Sequence, residues 1–334
     1  MKRSTRYAAL LTTLTALPAG ALAEAIDFDF YASLRLQAEA VSPDGASSYN
    51  GFRDAYSRIG FRGNAPLGEG FSAFAQLELP LDLANGAVQD PFDNDEDIRI
   101  AKVGLNTGFG TFAVGQDWMP YYNAIAYPVD MFSTYYSGFA TFTSFRISDS
   151  LFYYSPDLNG LSFGASYSDG GGYGKADGRA DDRYQLTASY TFGDTTLAAG
   201  IDDVGGSQNW RFYGLSAMHT MGDLYIGAKI EVIDSDQDAD GFGKDGDTAI
   251  NLYAGYTIGK NTIKGMVAEV DNYGGTIFHV GVDHDYSNRL TLFAEYYNED
   301  EGAAIPTRKA TDSAPLDAFG SGGDVFAVGA RYSF

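Results

Sequence analysis

Five arginines and two aspartates hold most of the charge chemistry this chain can direct at a passing solute. Arg35, Arg58, Arg62, Arg99 and Arg146 sit on or beside segments in which polar and apolar residues alternate, and alternation puts all five on the polar face. Asp117 and Asp130 are the only acids in the long stretch 117–145. Guanidinium charge on one side and carboxylate on the other make a transverse field, which acts on ions and dipoles moving between them rather than on bonds. The same stretch holds ten aromatic residues, with Trp118, Tyr121 and Tyr122 the candidate solute contacts. Their rings either pack the stretch against its surroundings or present flat faces on which a sugar ring can stack.

A second constellation is the run 236–247. Asp236, Asp238, Asp240 and Asp247 fit the calcium-loop spacing D-x-D-x-D-G with an acid at position twelve. The twelfth residue is Asp rather than Glu, position eight is Gly243, and strand-like rather than helix-like segments flank the run. It reads either as a site for Ca2+ or as a solvated acidic loop. No other cofactor is called for. Of the three histidines, His284 lies between Asp283 and Asp285, which suggests a His–Asp pair, but no nucleophile motif accompanies it and no enzyme is expected.

The elements that must position these groups are strands. In 224–233, Leu224, Ile226, Ala228, Ile230 and Val232 face one way and Tyr225, Gly227, Lys229 and Glu231 the other. A period of two with charge on one side is not an amphipathic helix. Similar alternation recurs from 28–41 to the last residues, where Phe326, Val328, Ala330, Tyr332 and Phe334 share a face. Seven short Gly/Asn/Asp-rich turns separate these segments at one side. Eight longer polar stretches, at 42–55, 82–97, 117–145, 168–181, 203–209, 234–247, 271–275 and 298–324, separate them at the other. Fifteen connections make sixteen strands, and an even number with strict short/long asymmetry predicts an all-β, 16-stranded antiparallel transmembrane β-barrel.

Both ends and the composition agree. Lys2, Arg3 and Arg6 precede a short apolar stretch and Ala21-Leu22-Ala23, which reads as a secretory signal over 1–23, leaving a single barrel unit over 24–334. No run long and apolar enough for a membrane helix follows. There is no cysteine, hence no disulfide framework, while 41 Gly, 24 Tyr and 23 Phe suit tight turns and interfacial girdles. The formal charge of −22, or −25 once a leader with three basic and no acidic residues is removed, argues against nucleic acid as a partner. Acid-rich outward loops predict a weak preference for cations.

Particular segments resemble a family. Ser57-Arg58-Ile59-Gly60-Phe61-Arg62-Gly63 with 67–78 resembles the second and third strands of Gram-negative general diffusion porins of the neisserial and enterobacterial type. Val103-Gly104-Leu105 with 108–116 is similar to their fourth and fifth strands, and 155–163 to the turn after the sixth. The resemblance implies a homotrimeric barrel of the outer membrane whose third loop folds inward, delivered by the barrel-assembly machinery, surrounded by outer-membrane lipid and lipopolysaccharide, and passing small solutes and ions. It also implies a pore constriction. The family's basic wall positions on strands two, four and six match Arg58, Arg99 and Arg146. On the first strand the family position falls at Ser33, with Arg35 two residues further along the same face. Asp117 and Asp130 would form the acidic lip. The family's Pro-Glu-Phe-Gly-like segment is missing from 117–145, so a saccharide-selective variant using the aromatic residues stands beside the general channel. The acidic second loop, with Asp90, Asp93, Asp95, Glu96 and Asp97, would latch onto a neighbouring subunit.

Overall fold

The structure is a computed structural model that describes residues 27–92, 98–176, 178–309, 320 and 322–334. The expected leader, and Asp93, Asp95, Glu96 and Asp97 of the second loop, lie outside the described residues. The strands are β1 (Asp27–Pro43), β2 (Tyr49–Asp54), β3 (Ser57–Gly68), β4 (Phe71–Leu81), β5 (Ile100–Thr107), β6 (Gly110–Trp118), β7 (Arg146–Tyr154), β8 (Leu161–Ser168) and β9 (Arg183–Phe192). They continue as β10 (Thr195–Gly205), β11 (Trp210–Met221), β12 (Leu224–Asp234), β13 (Thr248–Ile258), β14 (Asn261–Val270), β15 (Gly275–Asp285), β16 (Leu290–Glu299) and β17 (Gly323–Ser333). All pairings are between antiparallel neighbours, and β17 pairs with β1 from Ser33↔Ser333 to Pro43↔Gly323, which closes the sheet.

The seventeen strands form sixteen staves, because β2 and β3 are one stave with a break. β1 pairs with β2 over Leu36–Val41 and with β3 over Asp27–Ser33. At the break Tyr56 takes φ 66°, a region costly for a bulky residue. Side chains replace the ladder there. The Arg35 N–H donates to Ser57 Oγ (2.7 Å), the Ser57 hydroxyl donates to the Arg35 carbonyl (3.0 Å), and the Ser57 N–H donates to Asp54 Oδ1 (2.6 Å). Arg35 and Arg58 are thereby held on either side of the kink.

Burial follows the alternation. On β12, Gly227, Lys229, Glu231 and Ile233 are buried, while Ile226 and Ile230 are exposed. On β17, Phe326, Val328 and Tyr332 are exposed and Val325 and Ala327 buried. The oily side is therefore the outside. Aromatic rings gather there near the short turns, where Phe30 meets Phe61 (5.1 Å) and Phe334 (5.9 Å), and Phe112 meets Tyr153 (4.9 Å). Aliphatic residues such as Leu252, Ile263 and Val267 lie between this girdle and the loop end. That order, aromatic then aliphatic, is what a strand crossing lipid requires. Among the described residues no helix is long and apolar enough to cross a membrane.

Candidate functional site

The inner wall divides into two faces. One seats the third loop, which runs from the end of β6 to the start of β7. Four wall carboxylates, each paired with a wall cation, each accept a hydrogen bond from a loop hydroxyl. Glu39, paired with Arg53 (2.8 Å), accepts from Tyr136 OH (3.0 Å). Glu295, paired with Lys264 (2.9 Å), accepts from Thr134 Oγ1 (2.6 Å) and from the Ser133 N–H (2.8 Å). Glu231, paired with Lys229, accepts from Thr141 Oγ1 (2.8 Å). Asp202, bound by the Arg183 Nε–H (2.8 Å), accepts from Thr143 Oγ1 (2.8 Å). Each carboxylate is buried and doubly satisfied, the condition under which ionised groups are tolerated away from bulk water. His279 adds to the Glu295 anchor with an Nε2 contact of 3.0 Å and stacks on Phe132 of the loop with ring centroids 3.6 Å apart.

Glycine on the wall makes room for the loop. A Cβ on Gly227 would stand 2.2 Å from the Pro128 carbonyl oxygen, and one on Gly214 2.4 Å from Tyr121 OH. The loop's first turns, Tyr122–Ala126 and Tyr127–Val129, lie in this trough. There the Tyr225 hydroxyl donates to the Pro128 carbonyl (2.8 Å) and the Ser216 hydroxyl to the Ala124 carbonyl (2.6 Å).

The arginines cluster on β1, β3 and β7 and just before β5, across the lumen from the seats on β10, β12 and β16 and beside the Glu39 seat on β1. Arg99 is buried just before β5, with Nε donating to Glu78 Oε1 (2.9 Å), and Glu78 also lies 3.6 Å from Arg58. Asp90, from the second loop, stands 3.5 Å from Arg99 and 3.8 Å from Arg146. Arg146 lies over the Trp118 ring at 4.7 Å. Tyr31 donates to Glu78 Oε2 (2.9 Å), an approach that needs Gly60, whose Cβ would fall 2.2 Å from the Tyr31 ring. Below this cluster, toward the short turns, opens a cavity of about 1170 Å³. Arg35, Arg58, Arg62, Lys102 and Arg331 line it together with Glu78 and Asp117.

The structure brings Arg35, Arg58, Arg99 and Arg146 together on one wall. Arg62 stands apart, exposed toward the short-turn end and paired with Asp29 (2.6 Å). Asp117 and Asp130 do not oppose the arginines as a lip. Asp117, next to the end of β6 on the wall itself, binds Lys102 (2.7 Å), because strand parity puts it on the inner face with Ala113, beside β5. Asp130 is tied inside the loop, accepting from Tyr122 OH (2.6 Å) and from Ser137 Oγ. Burial, and the adjoining Asp130 carboxylate, push the Tyr122 phenol well above its ordinary range, so it stays a donor. The acids that do meet the arginines are Glu78 and Asp90.

Two other expectations change. Tyr121 and Tyr122 are 0% and 4% exposed, so their faces are turned into packing rather than toward solute. Trp118 packs against Tyr122 (4.7 Å) and Phe145 (6.2 Å), which lie 4.8 Å from each other, and it remains in the lining of the cavity. The four acids of 236–247 do not converge. Asp236 accepts from Asn209, Asp240 binds Lys244 (2.7 Å), and Asp247 accepts from Asn272 (3.0 Å). The Gln237 amide donates to the carbonyls of Ala239 (3.3 Å) and Phe242 (3.2 Å), so an amide group fills the loop's centre. Among the described residues no group of three or more acids and histidines could hold a metal ion. His284 faces outward, hydrogen-bonded to Asn261 (2.9 Å), whereas strand parity turns Asp283 and Asp285 inward, so no His–Asp pair assembles.

Sequence reasoning missed Lys102, Glu78, Arg331 and the four loop anchors. A signal existed for one anchor: Lys229 and Glu231 alternate onto one face, opposite charges two residues apart.

A family model described as Gram-negative porin matches residues 8–304. A search of curated proteins found no match. Among solved structures, the fold is similar to an anion-selective porin from Comamonas acidovorans at TM-score 0.71 and 17% identity, covering 93% of this chain and 100% of that one. It is similar to OmpF of Salmonella typhi, solved with daunomycin, at TM-score 0.69 and 16% identity, covering 92% and 97%. OmpT of Vibrio cholerae in a trimer form matches at TM-score 0.63 and 18% identity, covering 93% and 100%.

Proposed function

The chain belongs to the Gram-negative porins, and from that premise we propose that it is a passive diffusion channel of the outer membrane for ions and small hydrophilic solutes. The observation that carries the reading is the charged cavity inside a closed barrel, with the third loop seated inside it on carboxylates of β1, β10, β12 and β16. Polar groups inward and apolar groups outward satisfy lipid and water at once. Nothing in the reading requires a bond to be made or broken. Solute would move down its own gradient past the arginine face, and charge and size would decide its rate.

The saccharide-selective alternative finds less support, since most rings of the third loop are buried against the wall rather than lining the cavity. Assembly into trimers is part of the proposal. A recess of about 1060 Å³ on the outer face of β3 to β6, lined by Ala73, Ala75, Val103 and Leu105, would receive an apolar neighbour.

Liposome swelling tests the channel reading. Proteoliposomes in isotonic sugars should swell at rates that fall smoothly with sugar size and do not saturate with concentration. Saturation by one sugar would favour the selective reading, and no swelling with any would remove the channel.

A further inference from the structure

We propose that Arg35 and Arg331 form a lumenal binding site for small solutes bearing an oxyanion group, either carboxylate or phosphate. The proposal rests on the channel reading above and adds the class of solute the channel holds. Arg35 on β1 and Arg331 on β17 are register partners, directly opposite each other on the inner face at the seam that closes the barrel. Like charges placed so oppose pairing of their strands unless something of opposite sign offsets them.

The other wall arginines have such an offset within the protein. Arg58 and Arg99 share Glu78, Arg146 faces Asp90, and Arg62 meets Asp29. Among the described residues no carboxylate lies within ion-pair distance of Arg35 or Arg331. The Arg35 Nε–H donates only to Ser33 Oγ (3.0 Å). The next cross-strand pair on the same face is Ser33 and Ser333, whose hydroxyls are 3.3 Å apart and can turn their protons toward a ligand. Two guanidinium forks above two hydroxyls match the planar, multidentate acceptor pattern of a carboxylate or phosphate. The pair lines the cavity of about 1170 Å³, so a solute of several heavy atoms has room to reach it.

The wider field agrees. Seven basic and three acidic side chains line that cavity, and two of the acids, Glu78 and Asp117, are already paired. The third, Asp285, accepts from Thr291 Oγ1 (2.7 Å). The lumen is thus positive inside a chain of formal charge −22. Outer-loop acids other than Asp90, which is taken up by Arg99 and Arg146, stand farther off: from Arg331 to the loop end of β17 is about 26 Å of chain, beyond a Debye length of about 8 Å. The lumen therefore favours anions, the reverse of what overall acidity predicts.

Purified protein in a planar bilayer under a KCl gradient tests this. The reversal potential should indicate chloride over potassium. Inorganic phosphate and succinate, added in separate arms, should each reduce the chloride current in a saturable way, and the stronger blocker identifies which oxyanion source the site prefers. Arg331→Gln should raise the half-blocking concentration at least tenfold and shift the reversal potential toward potassium, while Arg331→Lys retains part of both. Arg211→Gln, on β11 outside the cavity and paired with Asp203 and Asp234, should leave the block unchanged. Cation preference in the unaltered protein, absence of block by either anion, or equal effects of Arg211→Gln and Arg331→Gln would each overturn the proposal. The unaltered protein alone decides the first two if the variants fail to fold. A bilayer with no current at all would instead remove the channel reading beneath it.

Discussion

Glu231 illustrates what a lumenal carboxylate does in this barrel. It is buried, balances Lys229, and receives the Thr141 hydroxyl of the third loop. Removing its charge leaves Lys229 buried without a counter-ion, and a broken buried pair of this kind costs about 3–5 kcal/mol. Glu231→Gln should therefore lower the unfolding midpoint in detergent, whereas Lys229→Met combined with Glu231→Leu should recover much of the loss. Equal destabilisation by the single and double changes would show that the pair's charge balance is not what matters. Ser57 works differently, through the backbone. Its hydroxyl serves both the N–H and the carbonyl of Arg35 at the break between β2 and β3. Ser57→Ala strands the Arg35 N–H, at about 1–3 kcal/mol for a buried unsatisfied group, while the Arg35 carbonyl keeps the Ala55 N–H (3.1 Å). Unfolding of this variant in urea should show that loss, and a midpoint equal to the parent's would mean that water replaces the hydroxyl without penalty.

At the scale of elements, the third loop is a tethered insert rather than a free flap. Four hydroxyls on four wall carboxylates hold it, and the trough at Gly214 and Gly227 fixes its depth. A side chain in the trough must push the loop toward the arginine face. Gly227→Val should change single-channel conductance and raise current noise. Gly265→Val, on the outer face with its nearest atom 3.6 Å away, should do neither. Matching traces from both variants would contradict the account of the seat. Strands of this kind were legible in sequence because parity is a local property: each of Phe326, Val328 and Tyr332 declares its face without reference to anything distant. Parity also placed Arg35, Arg58, Arg99 and Arg146 inward. The loop's course was not legible. Which carboxylate meets Thr134 or Thr141 depends on contacts 161 and 90 residues away in sequence. Asp117 and Asp130 were misread for the same reason, since their partners Lys102 and Tyr122 are set by the register of β6 on β5 and by the loop's own turns. The course of 236–247 was not legible either, since Asp236, Asp240 and Asp247 are drawn to Asn209, Lys244 and Asn272.

At the scale of the whole molecule, the closed sheet separates two solvents. Its outside carries aliphatic side chains above an aromatic girdle, and its inside carries paired charge. Closure at β1 and β17 removes the free edges that would otherwise invite aggregation. The fold without the loop could be written down from alternation, turn chemistry and the count of connections. The balance of charge inside could not, because it depends on which acids the arginines actually meet. The central claim is that this cylinder conducts passively through water. Single-channel recording of the purified protein in a planar lipid bilayer tests it most directly. The account predicts discrete current steps whose size grows in proportion to salt concentration and to small applied voltages. Silent bilayers, or currents that saturate like a carrier's as salt rises, would contradict it.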